Sequence, residues 1–557
     1  MTRLALRLLH VFGVAALLLL ALGLVLESGK RGFLAADQSI LFDGGYRVAL
    51  GQVPYRDFFI PTGPVPFWIQ GLFFAGFGVS YGTYILHAAV INAAVALLAL
   101  LWFRTVFPQS RLHGYFAAVL TAFWFYPPFG TPWFEQTAFF FHFAAMFLLV
   151  RSLAAANPSW RSLRMNRRGY LLLVAAGLAD GLSFLCKQNA GLLAVAASLG
   201  VLGMGVSARL RQRLVLATCF AAGVALAFVS FATWLLFASN VDLFRLFFLE
   251  IPSQEGLRRL GQLGAMDLLS GAFSMTTPVR TFSALSAVVA AGVFLTDGYL
   301  RVTGRDGPLA PQGRMAAGTL LSLFVLQSVF IPLTVNEPEN GFSFCGMMVA
   351  LAMLLVRDMS PNSLGSEASR RATPFAVTYW LGSLLMFFAL AQQARSVALN
   401  RGVHDVFSRS RFDANVVSRA MHPVQWAIPT PAARRSEEEI PVEDIDRLTE
   451  FLRRSEDFFV FPDFTVLYGL VGATPPQPLL WFHRGLTYSL EKAPWLDRRL
   501  VQELHERRVE YVVVEAVSLG GTDRRLAHFP SLARYIADGF EPEREFGIFR
   551  VLRRRAR

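Results

Sequence analysis

Asp37-Gln38-Ser39-Ile40-Leu41-Phe42-Asp43-Gly44-Gly45-Tyr46-Arg47 opens a polar stretch. It continues as Gly51-Gln52-Val53-Pro54-Tyr55-Arg56-Asp57-Phe58-Phe59 and runs through Pro61-Thr62-Gly63-Pro64-Val65-Pro66-Phe67-Trp68. What flanks it decides how it is read. Residues 10–27 before it form an apolar run; after it an aromatic stretch ends at Gly78, and a second long apolar run covers 83–103. About 20 consecutive apolar residues cross a bilayer as a helix, so 28–82 is a loop between two crossings. Its last part, roughly 15 apolar residues behind three prolines, is too short to cross and suits a helix lying along the interface.

Further apolar runs stand at 114–128, 134–150, 170–186, 190–207, 215–238, 281–299, 315–334, 340–356 and 374–393. Together they predict about eleven crossings, several of them short. The first run ends in Leu26-Glu27-Ser28-Gly29-Lys30 with no small-x-small cleavage pattern, so it is read as a retained helix and not as a signal peptide. Composition agrees. The 557 residues are 54% apolar and only 16% charged, where soluble domains average about 25% charged. The net charge of +13 sits in short loops between apolar spans, which argues against nucleic-acid binding. Cys186, Cys219 and Cys345 all fall inside apolar segments without metal-ligand spacing, so neither a disulfide framework nor a zinc site is expected.

Loop charge sets an expected orientation, since basic residues gather on the cytoplasmic side. With the N-terminus inside, 18 of the 27 basic residues before position 394 fall on the inner side. An odd number of crossings then puts the C-terminus outside. From about residue 394 the composition becomes that of a soluble protein. Residues 394–440, proline-containing and with an Arg-Arg-Ser-Glu-Glu-Glu run, read as a linker, and 441–557 as a small α/β domain. Its strands are expected at Phe458–Phe461, Pro478–Phe482, Val509–Glu515 and Glu545–Leu552, with helices at Val442–Arg454, Asp497–Arg508 and Ser531–Gly539.

An Asp followed by the run Val53-Pro54-Tyr55-Arg56-Asp57-Phe58, then Gly63-Pro64 before an aromatic interfacial helix, resembles the first outer loop of polyprenyl-phosphate-sugar-dependent glycosyltransferases. This is the GT-C membrane class, which includes protein O-mannosyltransferases and the lipid A aminoarabinose transferase. The run Gly181-Leu182-Ser183-Phe184-Leu185-Cys186-Lys187-Gln188-Asn189-Ala190 adds to the resemblance, because bacterial members often carry Lys-Gln between two short helices. The likeness covers residues 1–393. It implies a GT-C-like fold, a polyprenyl-phosphate-linked sugar donor and a catalytic Asp at Asp37. The Glu that usually follows is Gln38 here, which argues weakly against a two-acid metal motif; no cofactor is expected, and the use of a divalent metal is left open. The Lys that some members carry before the proline is replaced by Thr62-Gly63-Pro64, so the lipid phosphate must be met from elsewhere. Glu135 is the acid available for the next outer turn.

The chemistry needs these residue types. A phosphate leaving group is already good and requires cationic neighbours, whereas an acceptor hydroxyl requires a base, worth roughly 10²–10⁴ in rate. The reading is therefore Asp37 as general base, with Arg47, Arg56, Asp57, Glu135, Lys187 and Gln188 as substrate contacts. The sugar would pass to a glycan, lipid or protein hydroxyl by single-displacement inversion. Asp180, two turns before Lys187 on the same face, is a candidate partner for that lysine. His142 reads as a core histidine, and 239–280 as a loop closing over the donor. A transporter or flippase of lipid-linked envelope intermediates is the alternative. It would spread polar residues along helices near the middle of the membrane, whereas here they gather in loops. A non-catalytic envelope scaffold is a third reading.

Overall fold

The computed structural model describes residues 3–33, 35–156, 165–205, 210–262, 264, 278–303, 309–334, 343–358, 381–393, 412–427, 441–455, 457–518 and 521–556. Its helices are α1 (Arg3–Ser28), α2 (Ala35–Ala49), α3 (Val65–Phe77), α4 (Tyr81–Val106), α5 (Arg111–Trp124), α6 (Phe134–Ala156), α7 (Arg167–Phe184), α8 (Gln188–Gly205) and α9 (Leu210–Ala238). Pro278–Val302, Pro311–Thr334, Cys345–Asp358 and Leu381–Gln393 follow. Each expected crossing thus meets a helix among the described residues; 206–207, 340–342 and 374–380 lie outside them. Among the described residues, six helices are long and apolar enough to cross a membrane unaided: Arg7–Ser28, Tyr81–Val106, Phe134–Ala155, Leu210–Ala238, Val279–Val302 and Pro311–Phe330. The chain is a polytopic helical membrane protein with a small C-terminal sheet domain.

Helices packed in lipid gain little from apolar burial and rely on close backbone approach and interhelical hydrogen bonds. Asn92 on α4 supplies the latter. Its amide donates to the carbonyls of Ala21 on α1 (2.9 Å) and Ala122 on α5 (3.0 Å), and its oxygen accepts from Tyr126 N–H (3.2 Å). One buried side chain therefore ties three helices. The cap of α4 is equally legible: Ser80 Oγ accepts from Thr83 N–H at 3.1 Å, one of the orphan donors of a helix start.

The segment 28–82 is more ordered than a loop. Asp43-Gly44-Gly45 reads as a turn in sequence, but it lies within α2. The pair of glycines is used for contact: a Cβ at Gly44 would stand 2.1 Å from Phe67, and one at Gly45 2.3 Å from Gln70, so α3 can press onto α2 only here. α3 itself is the short aromatic helix expected along the interface.

The C-terminal sheet has the order β3-β4-β6-β5, with β3 (Phe458–Phe461) parallel to β4 (Tyr511–Glu515), and β6 (Phe549–Arg554) antiparallel to both β4 and β5 (Phe540–Phe546). Helices Val442–Leu452, Leu496–Glu506 and Pro530–Gly539 match the expected ones. Two strand expectations are corrected. Glu545–Leu552 is no single strand, because Gly547, at φ 58°, turns the chain back and pairs Phe546 with Phe549; a glycine at positive φ in a two-residue connection is a hairpin signal. Pro478–Phe482 joins no sheet. There Leu479 makes an isolated bridge to Phe59 of the first loop.

Within the expected linker, β1 (Phe412–Val417) and β2 (Gln425–Ala427) form an antiparallel pair. Gln425 N–H donates to Lys30 C=O (2.5 Å), and its carbonyl accepts from Gly32 N–H (3.0 Å). That part of the linker is docked beside the end of α1. Residues 394–411 and 428–440 lie outside the described residues.

Candidate active site

Three chain segments meet at the loop-side ends of α6 and α7. The first is α2, with Asp37 in its opening turn and half-buried. The second is the start of α6, where Glu135, 1% exposed, pairs with Lys187 at the α7–α8 junction. The third comes from the C-terminal domain. Asp463, just beyond β3, is buried and paired with Arg525, while its backbone N–H and that of Phe464 donate to Glu515 Oε1 at 2.7 and 2.6 Å. Phe464 packs edge-on against Phe33, the rings 5.3 Å apart.

These groups act on one another. Burial, with the carboxylates of Glu135 and Asp463 nearby, pushes the Asp37 carboxyl up to about 6, while Lys187 pulls it the other way. Both causes are of the ordinary kind: desolvation and like charge oppose ionisation, and an opposite charge favours it. Asp37 accepts no hydrogen bond among the described residues. It is a carboxylate without an anchor, tuned close to neutrality.

The lysine that the Thr62-Gly63-Pro64 segment lacks stands directly against that segment. Gly63 N–H donates to Cys186 C=O (3.2 Å), and Gln188 Nε2 donates to Pro61 C=O and Phe248 C=O, both at 2.9 Å. A Cβ at Gly63 would fall 1.6 Å from the Leu185 carbonyl oxygen, so the two strands of chain can touch only through a glycine. Lys187 and Gln188 are thereby held beside the first loop. Gln38, where relatives in the resemblance carry a second acid, points elsewhere: buried, its Oε1 accepts from Tyr81 OH at 3.1 Å.

The expected arginines take other places. Arg47 is 1% exposed, bonded to Asp43 (3.1 Å) and to Gln477 C=O (2.8 Å), with its guanidinium 5.7 Å over the Phe58 ring. It clasps α2 to the C-terminal domain. Arg56 and Asp57 form a half-exposed ion pair (2.7 Å), and Asp57 also accepts from Val53 N–H (2.7 Å), so the two brace their own loop. Asp180 does not serve Lys187; its oxygens are taken by His142 and Ser198.

The segment read as a closing loop is helical up to Gln262. A short helix, Val241–Phe244, leads into a π turn, Arg245–Glu250, and then Ile251–Gln262. Phe247 stacks on Phe59 at 4.3 Å, and Lys492 Nζ donates to Glu250 C=O at 2.8 Å. This part is a packed support under the C-terminal domain. Residues 265–277 lie outside the described residues.

Asp463 and Arg525 are absent from the sequence reading. A usable signal existed: Asp463 and Glu515 stand at or just past the carboxyl ends of two parallel strands, where α/β sheets present their functional groups. Among the described residues, no cluster of three or more His, Cys, Asp or Glu is placed to hold a metal.

No protein-family model matches the chain. No curated protein matches it either. Solved structures do. ArnT from Cupriavidus metallidurans bound to undecaprenyl phosphate superposes with a TM-score of 0.52 at 15% identity, over 97% of this chain and 97% of that one. The same protein in its apo state gives 0.50 at 15% identity, over 98% of each chain. At that identity the likeness is one of fold, and it extends across both the helical region and the C-terminal domain. The fold that the resemblance of residues 37–68 and 181–190 implies is the fold of these solved structures.

Proposed function

We propose that this chain is a membrane glycosyltransferase. It would move a sugar from a polyprenyl-phosphate carrier to an acceptor hydroxyl at the outer face of a bacterial inner membrane, with the N-terminus cytoplasmic and the C-terminal domain outside. The observation that carries the reading is the position of Asp37. A half-buried carboxyl without a hydrogen-bond anchor stands within electrostatic reach of Lys187 and Glu135, in a fold shared with a protein solved bound to undecaprenyl phosphate. The loop-charge bias supports the orientation.

In this mechanism Asp37 takes the proton of the acceptor hydroxyl as its oxygen forms the new bond to the anomeric carbon. The bond from that carbon to the carrier phosphate breaks, the electron pair leaves on the phosphate, and the configuration inverts. A base with its pKa near the working pH is the efficient one, and a carboxyl raised to about 6 meets that condition. Lys187 leaves Glu135 to meet the phosphate anion, a charge-assisted contact; Gln188 keeps the junction in place. Arg56 and Asp57 form the rim of the site. Arg47, engaged by Asp43 and the Gln477 carbonyl, positions α2 instead of touching the donor.

The test uses purified full-length protein in lipid vesicles. Binding of undecaprenyl phosphate is measured by native mass spectrometry, and transfer from membrane extracts of polyprenyl-linked sugars is followed by product mass. Asp37→Asn is expected to bind the lipid and to transfer nothing. Wild-type transfer by Asp37→Asn would remove the base assignment, and failure of the wild-type protein to bind undecaprenyl phosphate would remove the donor class.

A further inference from the structure

Below the Glu135–Lys187 pair, α6 and α7 carry a second pair. His142 Nδ1 lies 3.0 Å from Asp180 Oδ1, and Ser198 Oγ donates to Asp180 Oδ2 at 2.6 Å. All three side chains are buried, at 1%, 0% and 0% exposure. His142 stands seven residues after Glu135 on α6, and Asp180 seven before Lys187 on α7, so the two pairs are rungs of one antiparallel ladder. Seven residues make two helical turns, about 10.5 Å along the axis. Ionisable groups at such depth in a membrane helix are costly and are functional candidates by default.

We propose that the His142–Asp180–Ser198 cluster is a positioning rung that fixes the register in which α6, α7 and α8 deliver Glu135, Lys187 and Gln188 to the site. Three observations support it. Each oxygen of Asp180 is claimed from a different helix, His142 from α6 and Ser198 from α8, so the carboxyl locks three helices at one height. Those are the helices that open or close at the three site residues. The cluster also leaves His142 Nε2 without a partner among the described residues, a price that a side chain serving only to fill space would avoid. Apolar groups of equal volume pack as well or better where a buried polar cluster serves stability alone. A slide of α6 against α7 by one residue, about 1.5 Å, breaks both rungs together.

The register claim stands apart from the transfer reaction; only its effect on turnover rests on that reading. The test is thiol cross-link trapping in membranes. Glu135→Cys and Lys187→Cys are introduced into full-length protein whose Cys186, Cys219 and Cys345 are replaced by alanine, and the trapping rate is measured with a short bifunctional methanethiosulfonate, since an ion pair of two long side chains spans more than the about 3.5–4.5 Å between Cβ atoms that a direct disulfide needs. With His142 present, trapping is expected to be fast. His142→Phe is expected to slow it about tenfold, and His142→Asn, whose amide nitrogen falls near the place of Nδ1, to restore it. Asp180→Asn, which keeps the volume of the acid, is the second variant and is expected to slow trapping as His142→Phe does. Equal rates in all variants overturn the proposal, as does equal slowing in His142→Phe and His142→Asn. A fall in Tm with an unchanged trapping rate marks a purely structural cluster and overturns it too.

Discussion

Lys187 and Glu135, 52 residues apart in sequence, pair where α6 begins against the α7–α8 junction, and the exposure is unequal: 21% for the lysine and 1% for the carboxylate. The acid therefore depends on the lysine more than the lysine depends on the acid. Removing one partner of a buried pair costs about 3–5 kcal/mol because a charge is left uncompensated. Lys187→Ala is expected near the lower end of that range, given its partial exposure. Glu135→Gln combined with Lys187→Ala should recover most of the loss. Thermal unfolding of the detergent-solubilised variants reads both, and a double variant as unstable as Lys187→Ala would refute the dependence.

The charges around Asp37 make the pH profile a signature. Its carboxyl is raised to about 6 by burial, Glu135 and Asp463, and as the proposed base it would work only when deprotonated. Turnover should therefore rise with pH through about 6 and level off above. Asp463→Asn removes a negative neighbour, so the limb should move to lower pH; Lys187→Ala removes a positive one, so any residual activity should have its limb at higher pH. Shifts in the same direction for both variants would contradict this electrostatic arrangement.

Gly63→Ala tests the docking of the first loop on the α7–α8 junction. The added methyl group would meet the Leu185 carbonyl oxygen at 1.6 Å, a backbone atom that cannot swing aside. The loop must lift, and the hydrogen bonds from Gly63 and Gln188 must lengthen. Misplacing reacting groups by about 1 Å can cost 10²-fold. A loss of that order in transfer, with the protein still inserted in the membrane, is expected; near-normal activity would show that the junction is not part of the site.

Asp43 and Arg47 form a clasp whose side chains are 0% and 1% exposed. Arg47→Ala strands the buried carboxylate and frees the Gln477 carbonyl, so about 3–5 kcal/mol of stability should go. The loss should appear as protease cleavage between the helical region and the C-terminal domain. Arg47→Lys is expected to rescue only in part, since one ammonium cannot reproduce the fork of the guanidinium.

Much of the fold was open to reading because lipid imposes long apolar runs, and each run from 10–27 to 374–393 meets a helix where its residues are described. Local signals of the same strength revealed the sheet-domain helices and the short helix before Gly78. The site was legible only in part. Asp37, Glu135 and Lys187 are recognisable as isolated polar residues at span ends, but their meeting is a tertiary fact. Helical spacing puts Asp180 on the face of Lys187, yet His142 and Ser198, 38 and 18 residues away, reach it first. Arg47 and Arg56 are the instructive cases. Two cations in one loop suggest an anion, yet each has an acid within local reach, Asp57 beside Arg56 and Asp43 one helical turn before Arg47, and the structure pairs them so.

The clasp between Arg47 and Gln477 joins positions 430 residues apart. Ribosomes add about 5–20 residues per second, so α2 would wait on the order of 20–90 seconds for the segment that buries its arginine. Throughout that interval Phe33, Phe42 and Phe59, all fully covered in the finished protein, would have nothing from the C-terminal domain to cover them. Biosynthesis of this protein therefore passes through a nascent stage in which its earliest surface is sticky and its last hundred residues act as the cover. A chain stopped short of them would be a substrate for quality control and not a smaller working unit.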